Sequence, residues 1–414
     1  MKKSLLAVAA MGAFAGAAQA QSSVTVYGIL DVGYIGSNAK ERGAWTQKSA
    51  FGQSAETTNR LGFRGTEDLG GGMNAFFTVE LGLTPQNANL SGGTAADAIQ
   101  KTTQSSGSAI DNRQAFVGVN KKGLGQFAFG RQYTPVFVAG SQTSPGQYNN
   151  VIGDLVYAGA ASVWASSSTT NTGNNNGIGF TNRASNALTV QTDRFGGLVL
   201  SGMYAMNNQD RTQSATIGTG QTDWNAWGLG ANFVMQKLTV TAAYQSFNTN
   251  YATGVTTTGA DYAFGGTGAT SSVEIATTAQ SLAAGPVRDN QMLAGAVYDF
   301  GIMKAYAQYG NRAVNTSGSE SLNRTAYQLG ARGNITKTVE AWASAGMGSV
   351  KADAGGTTAN FYGYQVGSNY ILSKRTNLYG IVGYVQTDST SGYANSNGGG
   401  AQATQYALGV RHTF

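Results

Sequence analysis

The sequence predicts an all-β fold, a transmembrane β-barrel of sixteen antiparallel strands. Three observations support this prediction: an export signal at the start of the chain, two-residue periodicity in about sixteen segments, and connections that alternate between short and long. The 414-residue chain contains 59 glycines and 20 tyrosines but no cysteine. We therefore expect its stability to come from a hydrogen-bonded sheet rather than from disulfide bonds.

The first twenty residues have the three parts of a secretory signal peptide. Lys2 and Lys3 form a basic start, the run 5–18 is apolar and rich in alanine, and Ala18-Gln19-Ala20 matches a cleavage site. The apolar run is too short for a membrane-spanning helix. Residues 1–20 are therefore expected to be removed, which leaves residues 21–414 as one barrel domain. The formal charge of +6 falls to +4 without the two lysines, which gives no reason to expect nucleic-acid binding.

The strand segments alternate apolar side chains with polar or small ones. In one of them, Ala75, Phe77 and Val79 alternate with Thr78 and Glu80, so one face suits lipid and the other suits water. The sixteen predicted strands are 24–34, 58–67, 72–83, 111–119, 125–133, 179–192, 197–206, 225–234, 237–247, 288–298, 302–310, 323–332, 338–348, 360–371, 375–386 and 403–414.

The connections between these segments alternate in length without exception. Transmembrane barrels have this asymmetry, with short periplasmic turns and long outer loops, whereas a β-sandwich does not sort its loops in this way. The long connections are 35–57, 84–110, 134–178, 207–224, 248–287, 311–322, 349–359 and 387–402.

The last strand ends the chain on an aromatic side chain. Tyr406, Leu408, Val410, His412 and Phe414 share one largely apolar face of this strand. In outer-membrane barrels the final strand closes the barrel, and aromatic side chains lie in girdles at the membrane interfaces. The C-terminus is therefore typical of such a barrel.

Six stretches that follow the predicted strands in order carry a family resemblance. They are Val24–Gly28, Asn59–Gly72, Asn112–Gly118, Phe129–Pro135, Leu372–Thr376 and Gly409–Phe414. On these stretches the chain resembles the trimeric general porins of Gram-negative outer membranes, in particular the beta-proteobacterial group.

The resemblance implies a barrel whose third outer loop, here about residues 134–178, folds into the lumen. It implies a passive outer-membrane channel for small hydrophilic solutes and ions. The channel would form a homotrimer that contacts outer-membrane lipid and lipopolysaccharide. It would be inserted by the barrel-assembly machinery, which reads a signal in the last strand. That signal is expected to comprise Tyr406, Leu408, Val410, His412 and Phe414.

The resemblance also places arginines of the barrel wall at a pore constriction. Arg60 and Arg64 are predicted to point inward because their neighbours Leu61 and Phe63 take the outward face. Arg113 is predicted to point inward with Phe116 outward, and Arg183 follows the third loop as the third wall arginine does in the family. The predicted constriction residues on the wall are therefore Arg60, Arg64, Arg113 and Arg183.

The acidic side of the constriction is sparse. Between Thr134 and Arg183 the loop has one acid, Asp154, which is expected to face the arginines across the lumen. Asp31 and Glu80 are on inward faces and reduce the positive excess. Because a narrow pore is smaller than the Debye length of about 8 Å, salt does not cancel the excess, and the channel is expected to prefer anions.

Two other functions remain open, namely a channel specific for a sugar or an anion, and a surface adhesin carried on a barrel scaffold. An enzyme is not expected, because one histidine and no cysteine cannot supply the usual zinc sites. The histidine is assigned to the lipid face, which leaves no Ser-His-Asp triad. No catalytic residue, metal site or cofactor is predicted.

Overall fold

The computed structural model describes residues 23–41, 44–86, 90, 111–156, 180–207, 223–251, 285–316, 319–352, 358–387 and 401–414. The predicted signal peptide lies outside these residues. Within them the chain forms seventeen strands and one short helix. No helix in these ranges is both long enough and apolar enough to cross a membrane.

The strands follow the predicted order, and many extend further on the side of the long connections. The elements are β1 Ser23–Glu41, β2 Ala44–Gln53, β3 Arg60–Gly70, β4 Met73–Gly82, β5 Asn112–Lys121, β6 Gly125–Tyr133, α1 Pro135–Ser141, β7 Arg183–Thr192, β8 Leu198–Asn207, β9 Asp223–Met235, β10 Leu238–Tyr251, β11 Gly285–Asp299, β12 Lys304–Thr316, β13 Ser319–Asn334, β14 Val339–Ala352, β15 Thr358–Ile371, β16 Thr376–Thr387 and β17 Ala401–Thr413.

All neighbouring strands are antiparallel, and β1 closes the barrel against β17, from Ile29 opposite Thr413 to Glu41 opposite Ala401. The other edge of β1 is shared. Its first part pairs with β3, and its second part pairs with β2. In the described residues the seventeen strands therefore occupy sixteen positions around the wall, which confirms the predicted barrel. The prediction of one long connection over 35–57 is wrong, because most of that segment belongs to the β1–β2 hairpin.

Asp31 holds the connection between β2 and β3 in place. Its carboxylate accepts hydrogen bonds from the backbone N–H groups of Glu56 and Thr57 over 2.8 and 2.6 Å, and from the Tyr379 hydroxyl over 2.6 Å. Since one buried acid satisfies all three donors, Asp31 has a structural role beside its inward position.

The wall alternates as the sequence predicts. In β17 the Leu408 side chain is 60% exposed while its neighbour Ala407 is fully buried. Tyrosines pair on the wall, for example Tyr34 with Tyr406 at 6.2 Å and Tyr309 with Tyr327 at 5.0 Å between ring centroids. Exposed apolar side chains on alternate positions form the face that lipid covers in a transmembrane barrel.

The third long connection enters the barrel immediately after β6. Thr134 caps α1, because its hydroxyl accepts from the Phe137 N–H over 3.3 Å, and proline occupies the first helical position. The helix packs on β9 where Gly228 and Gly230 leave space, since a Cβ at either position would lie 3.2 to 3.3 Å from Pro135. Of the predicted 134–178 loop, residues 134–156 are described and fold inward.

Six glutamines on inward faces of the wall form hydrogen bonds either with this loop or with Thr181, just before β7 begins. Gln365 of β15 donates to the backbone carbonyls of Val151 and Ile152 over 2.9 and 3.1 Å. Gln405 of β17 accepts from the Ile152 N–H over 2.8 Å. The other four are Gln245, Gln291, Gln308 and Gln328.

The largest buried apolar cluster lies inside the barrel. Val136, Ile152 and Leu155 of the loop pack in one cluster with wall residues such as Ala243 and Leu293. Because both faces of this contact are removed from water, apolar burial and the glutamine hydrogen bonds together keep the loop in the lumen.

Candidate pore constriction

Polar and charged side chains form a row along the inner wall from β3 to β7. The row comprises Arg60 at the start of β3, Glu80 near the end of β4, Arg113 at the start of β5, Tyr133 at the end of β6 and Arg183 at the start of β7. Arg60 pairs with Ile29 of β1. From that point β1 stays paired with β17 as far as Glu41, so the wall continues beyond the level of Arg60. The row is therefore inside the barrel rather than at its rim.

Glu80 is the carboxylate at the centre of this row. It accepts from Arg113 Nε over 2.8 Å and from the Tyr27 hydroxyl over 3.2 Å, and it lies 3.6 Å from Arg60. The sequence predicts its inward direction but not this role. The pairing between strands is the signal that could have identified this role. Glu80 pairs with Gly62 of β3, and its strand β4 lies between β3, which carries Arg60, and β5, which carries Arg113.

Arg113 reaches the lumen because of a β-bulge. The prediction that Phe116 faces outward is wrong, since Phe116 pairs directly with the inward Thr78. Regular alternation from Phe116 would turn Arg113 toward the lipid. The register between β4 and β5 shifts beside Glu80, however, and this irregularity returns Arg113 to the inner face. The predicted direction of Arg113 thus has a different cause from the one the sequence suggested.

Tyr133 connects the wall row to the loop helix. Its hydroxyl accepts from the Arg113 guanidinium over 3.0 Å, and its ring stacks on Phe137 of α1 with centroids 4.2 Å apart. The Arg183 guanidinium lies 5.3 Å from the centre of the same ring. Both charged neighbours are therefore oriented by an aromatic residue that sequence reasoning did not include.

Arg64 borders the row through Tyr27, whereas Asp154 lies in the loop. Arg64 is exposed, and its guanidinium lies 5.4 Å from the centre of the Tyr27 ring. Asp154 is 2% exposed and accepts from the Ser144 hydroxyl over 2.7 Å. The next residue, Leu155, donates to Gln328 on β13, across the barrel from the arginines. Asp154 is therefore a buried carboxylate within the loop rather than an exposed charge.

The row carries an excess of positive charge. The positive charges of Arg113 and Arg183 both repel the charge of Arg60. A further arginine and acid, Arg131 and Asp111, lie beside the row. Within the row itself, three arginines (Arg60, Arg113 and Arg183) and one acid (Glu80) leave a formal excess of two positive charges.

The C-terminal residues join the last strand of the barrel to the first. Phe414 donates to the Gly28 carbonyl over 3.1 Å and accepts from the Gly28 N–H over 3.0 Å. Leu408 and Val410 are exposed on the outward face, and the His412 ring lies within hydrogen-bond distance of Thr376 at 2.9 Å. Phe414 lies over Gly28 so closely that a Cβ there would be 2.3 Å from the ring.

Comparisons with known proteins agree with the barrel fold. A family described as Gram-negative porin matches residues 7–390. The chain is 28% identical to an outer membrane porin protein of Bordetella pertussis and to outer membrane porin protein 32 of Delftia acidovorans, each over 100% of both proteins. A solved anion-selective porin from Comamonas acidovorans has the same fold, with 21% identity, a TM-score of 0.65, and coverage of 95% of this chain and 100% of that one.

Proposed function

The chain belongs to the Gram-negative porin family of outer-membrane channels, and we propose that its channel prefers anions. The observation that carries this proposal is the excess of arginine over carboxylate in the row formed by Arg60, Glu80, Arg113 and Arg183. The similarity of the fold to the anion-selective porin from Comamonas acidovorans supports it.

The excess charge acts strongly on an ion that passes close to the row. At about 5 to 8 Å and an effective dielectric constant near 20, one unit charge changes the energy of a passing ion by about 2 to 3 kcal/mol. The row lies within a Debye length of any ion that passes beside it, so physiological salt reduces this energy without removing it. Small hydrophilic anions are the favoured solutes, and cations cross less readily.

The proposal includes the assembly of the channel. Three copies form a homotrimer in contact with outer-membrane lipid and lipopolysaccharide, after cleavage of the signal peptide. The barrel-assembly machinery reads the outward face of β17, where Leu408, Val410 and Phe414 are exposed. The relatives are porins, which are channels, and we assign no catalytic role to this chain.

The test is the reversal potential of the purified channel in a planar bilayer under a potassium chloride gradient. Arg60→Glu with Arg183→Glu preserves the buried Arg113–Glu80 pair and changes the formal excess from plus two to minus two. The wild type should be anion-selective and the double variant cation-selective.

A matched control places the same charge change elsewhere. Lys121 and Lys122 are exposed at the short β5–β6 turn, and Lys121→Glu with Lys122→Glu should leave the reversal potential close to that of the wild type. An unchanged sign in a folded, conducting Arg60→Glu and Arg183→Glu variant, or an equal change in the control, would show that this row does not set the selectivity.

A further inference from the structure

A cavity lined by both polar and apolar side chains adjoins the arginine row on its periplasmic side. It measures about 260 Å³ and lies between α1 and the inner wall formed by β5 to β9. Its lining extends from Tyr133, in the row, to Arg194, in the short β7–β8 connection. Since short connections are periplasmic in barrels of this kind, a solute that has crossed the row reaches this cavity next.

Nine of the nineteen residues that line the cavity carry a side-chain amide or hydroxyl. Gln126 and Gln191 are exposed and bonded to one another over 3.2 Å. Gln142 at the end of α1 accepts from the Asn232 amide. Gln132 accepts from the Thr189 hydroxyl over 2.7 Å. Each amide has both donors and an acceptor, which is the pattern that matches hydroxyl groups of a ligand.

One aromatic ring contributes an apolar surface to the cavity. Phe116 lines it and meets the Phe76 ring edge-on, at 6.3 Å between centroids. Tyr133 also lines it, but Phe137 and Arg183 are already against its ring. Phe116 is thus the ring that can contact the apolar face of a small ring-shaped solute.

The single charged side chain of this lining is already engaged with the protein. Arg194 donates to the Gly197 carbonyl over 2.6 Å and to the Asn232 side chain over 3.2 Å. No acidic side chain is among the described residues that line the cavity. The lining thus favours hydrogen bonding over charge pairing, in contrast to the arginine row above it.

We propose that this cavity is a binding site for a small uncharged polyol of the size of one sugar ring. Its volume is just below the lower end of the range for small-molecule sites, about 300 to 1,000 Å³. The site is reached through the channel, but it does not depend on the proposed anion preference, because the amides and Phe116 rather than the arginines provide its contacts.

The test uses D-glucose as the probe and isothermal calorimetry on the folded protein in a detergent without a sugar headgroup. Gln142→Leu with Gln191→Leu removes two exposed amides from the cavity. Wild type should bind glucose saturably, and the variant should bind about fivefold more weakly, as expected from the loss of about one net hydrogen bond. Phe116→Ala should also weaken binding.

The matched control is Asn74→Leu, which removes an amide from the adjoining cavity of the same wall. It should leave glucose binding unchanged. An absence of saturable glucose binding, equal weakening in the control, or displacement of glucose by inorganic phosphate would overturn the proposal. The wild-type reversal potential should persist in the glutamine variant, so a failure here is distinguishable from a failure of the anion preference.

Discussion

Arg113 and Glu80 form an ion pair of 2.8 Å between neighbouring strands, and their side chains are only 3% and 4% exposed. The pair keeps a carboxylate among the wall arginines and holds the bulged start of β5 in place. Breaking a buried pair by removing one partner typically costs about 3 to 5 kcal/mol, because the remaining charge loses its partner. Removal of either partner alone is therefore expected to destabilise the barrel.

Glu80→Gln should deepen the anion preference and lower the temperature of unfolding. The amide retains a hydrogen-bond acceptor for Arg113 but removes the negative charge beside Arg60. Asp154→Asn should change the reversal potential less, because Asp154 is buried in the loop. Reversal potentials of the two variants under the same salt gradient check this order. A larger shift for Asp154→Asn would contradict the placement of the field at Glu80.

Gln365→Leu should loosen the loop that enters the lumen. The side chain bonds the loop at Asn149, Val151 and Ile152, and leaving such buried groups unpaired costs about 1 to 3 kcal/mol each. Single-channel recordings of the variant should show larger current fluctuations than those of the wild type. Protease should also cleave the loop of the variant faster. The control is Gln386→Leu, where the lost partners are wall tyrosines, and its recordings should match the wild type.

Gly28→Val should impair closure of the barrel. A Cβ at this position would lie 2.3 Å from the Phe414 ring and 2.8 Å from the Arg60 carbonyl, so the terminal residue would have to move. Deletion of Phe414 should have a similar effect, since two backbone hydrogen bonds to Gly28 are lost. The yield of heat-modifiable, folded protein in outer-membrane fractions measures both. Normal yield from both variants would show that closure does not depend on this contact.

Tyr379→Phe should destabilise the barrel without altering its ion preference. The hydroxyl donates to the Asp31 carboxylate over 2.6 Å, and hydrogen bonds to charged groups contribute about 1.5 to 3 kcal/mol. Thermal unfolding followed by circular dichroism should show a lower midpoint, and the reversal potential should stay constant. Tyr384→Phe, which removes a bond to Gln386, is the control and should have a smaller effect. Equal midpoints for the two variants would contradict the role of Asp31.

Local periodicity and the alternating lengths of the connections determined the barrel and the two faces of regular strands such as β17. Leu408 and Ala407 lie on opposite faces because consecutive strand residues alternate, and this rule needs no knowledge of the neighbouring strand. The same rule assigns Arg60 to the inner face, and in the structure it lies 3.6 Å from Glu80. The resemblance of several strands to porins then identified the family and the loop that enters the lumen.

The tertiary structure decided which side chains meet. Arg113 points inward because of a shift in register, and a shift between strands leaves no mark in the periodicity of one strand. Ile152 is bonded to Gln405, which is 253 residues away, and a glutamine of this kind looks like any polar residue on an inner face. Alternation assigns each side chain to a face, whereas its partner depends on the pairing of distant strands, and the chemistry of the pore follows from those partners.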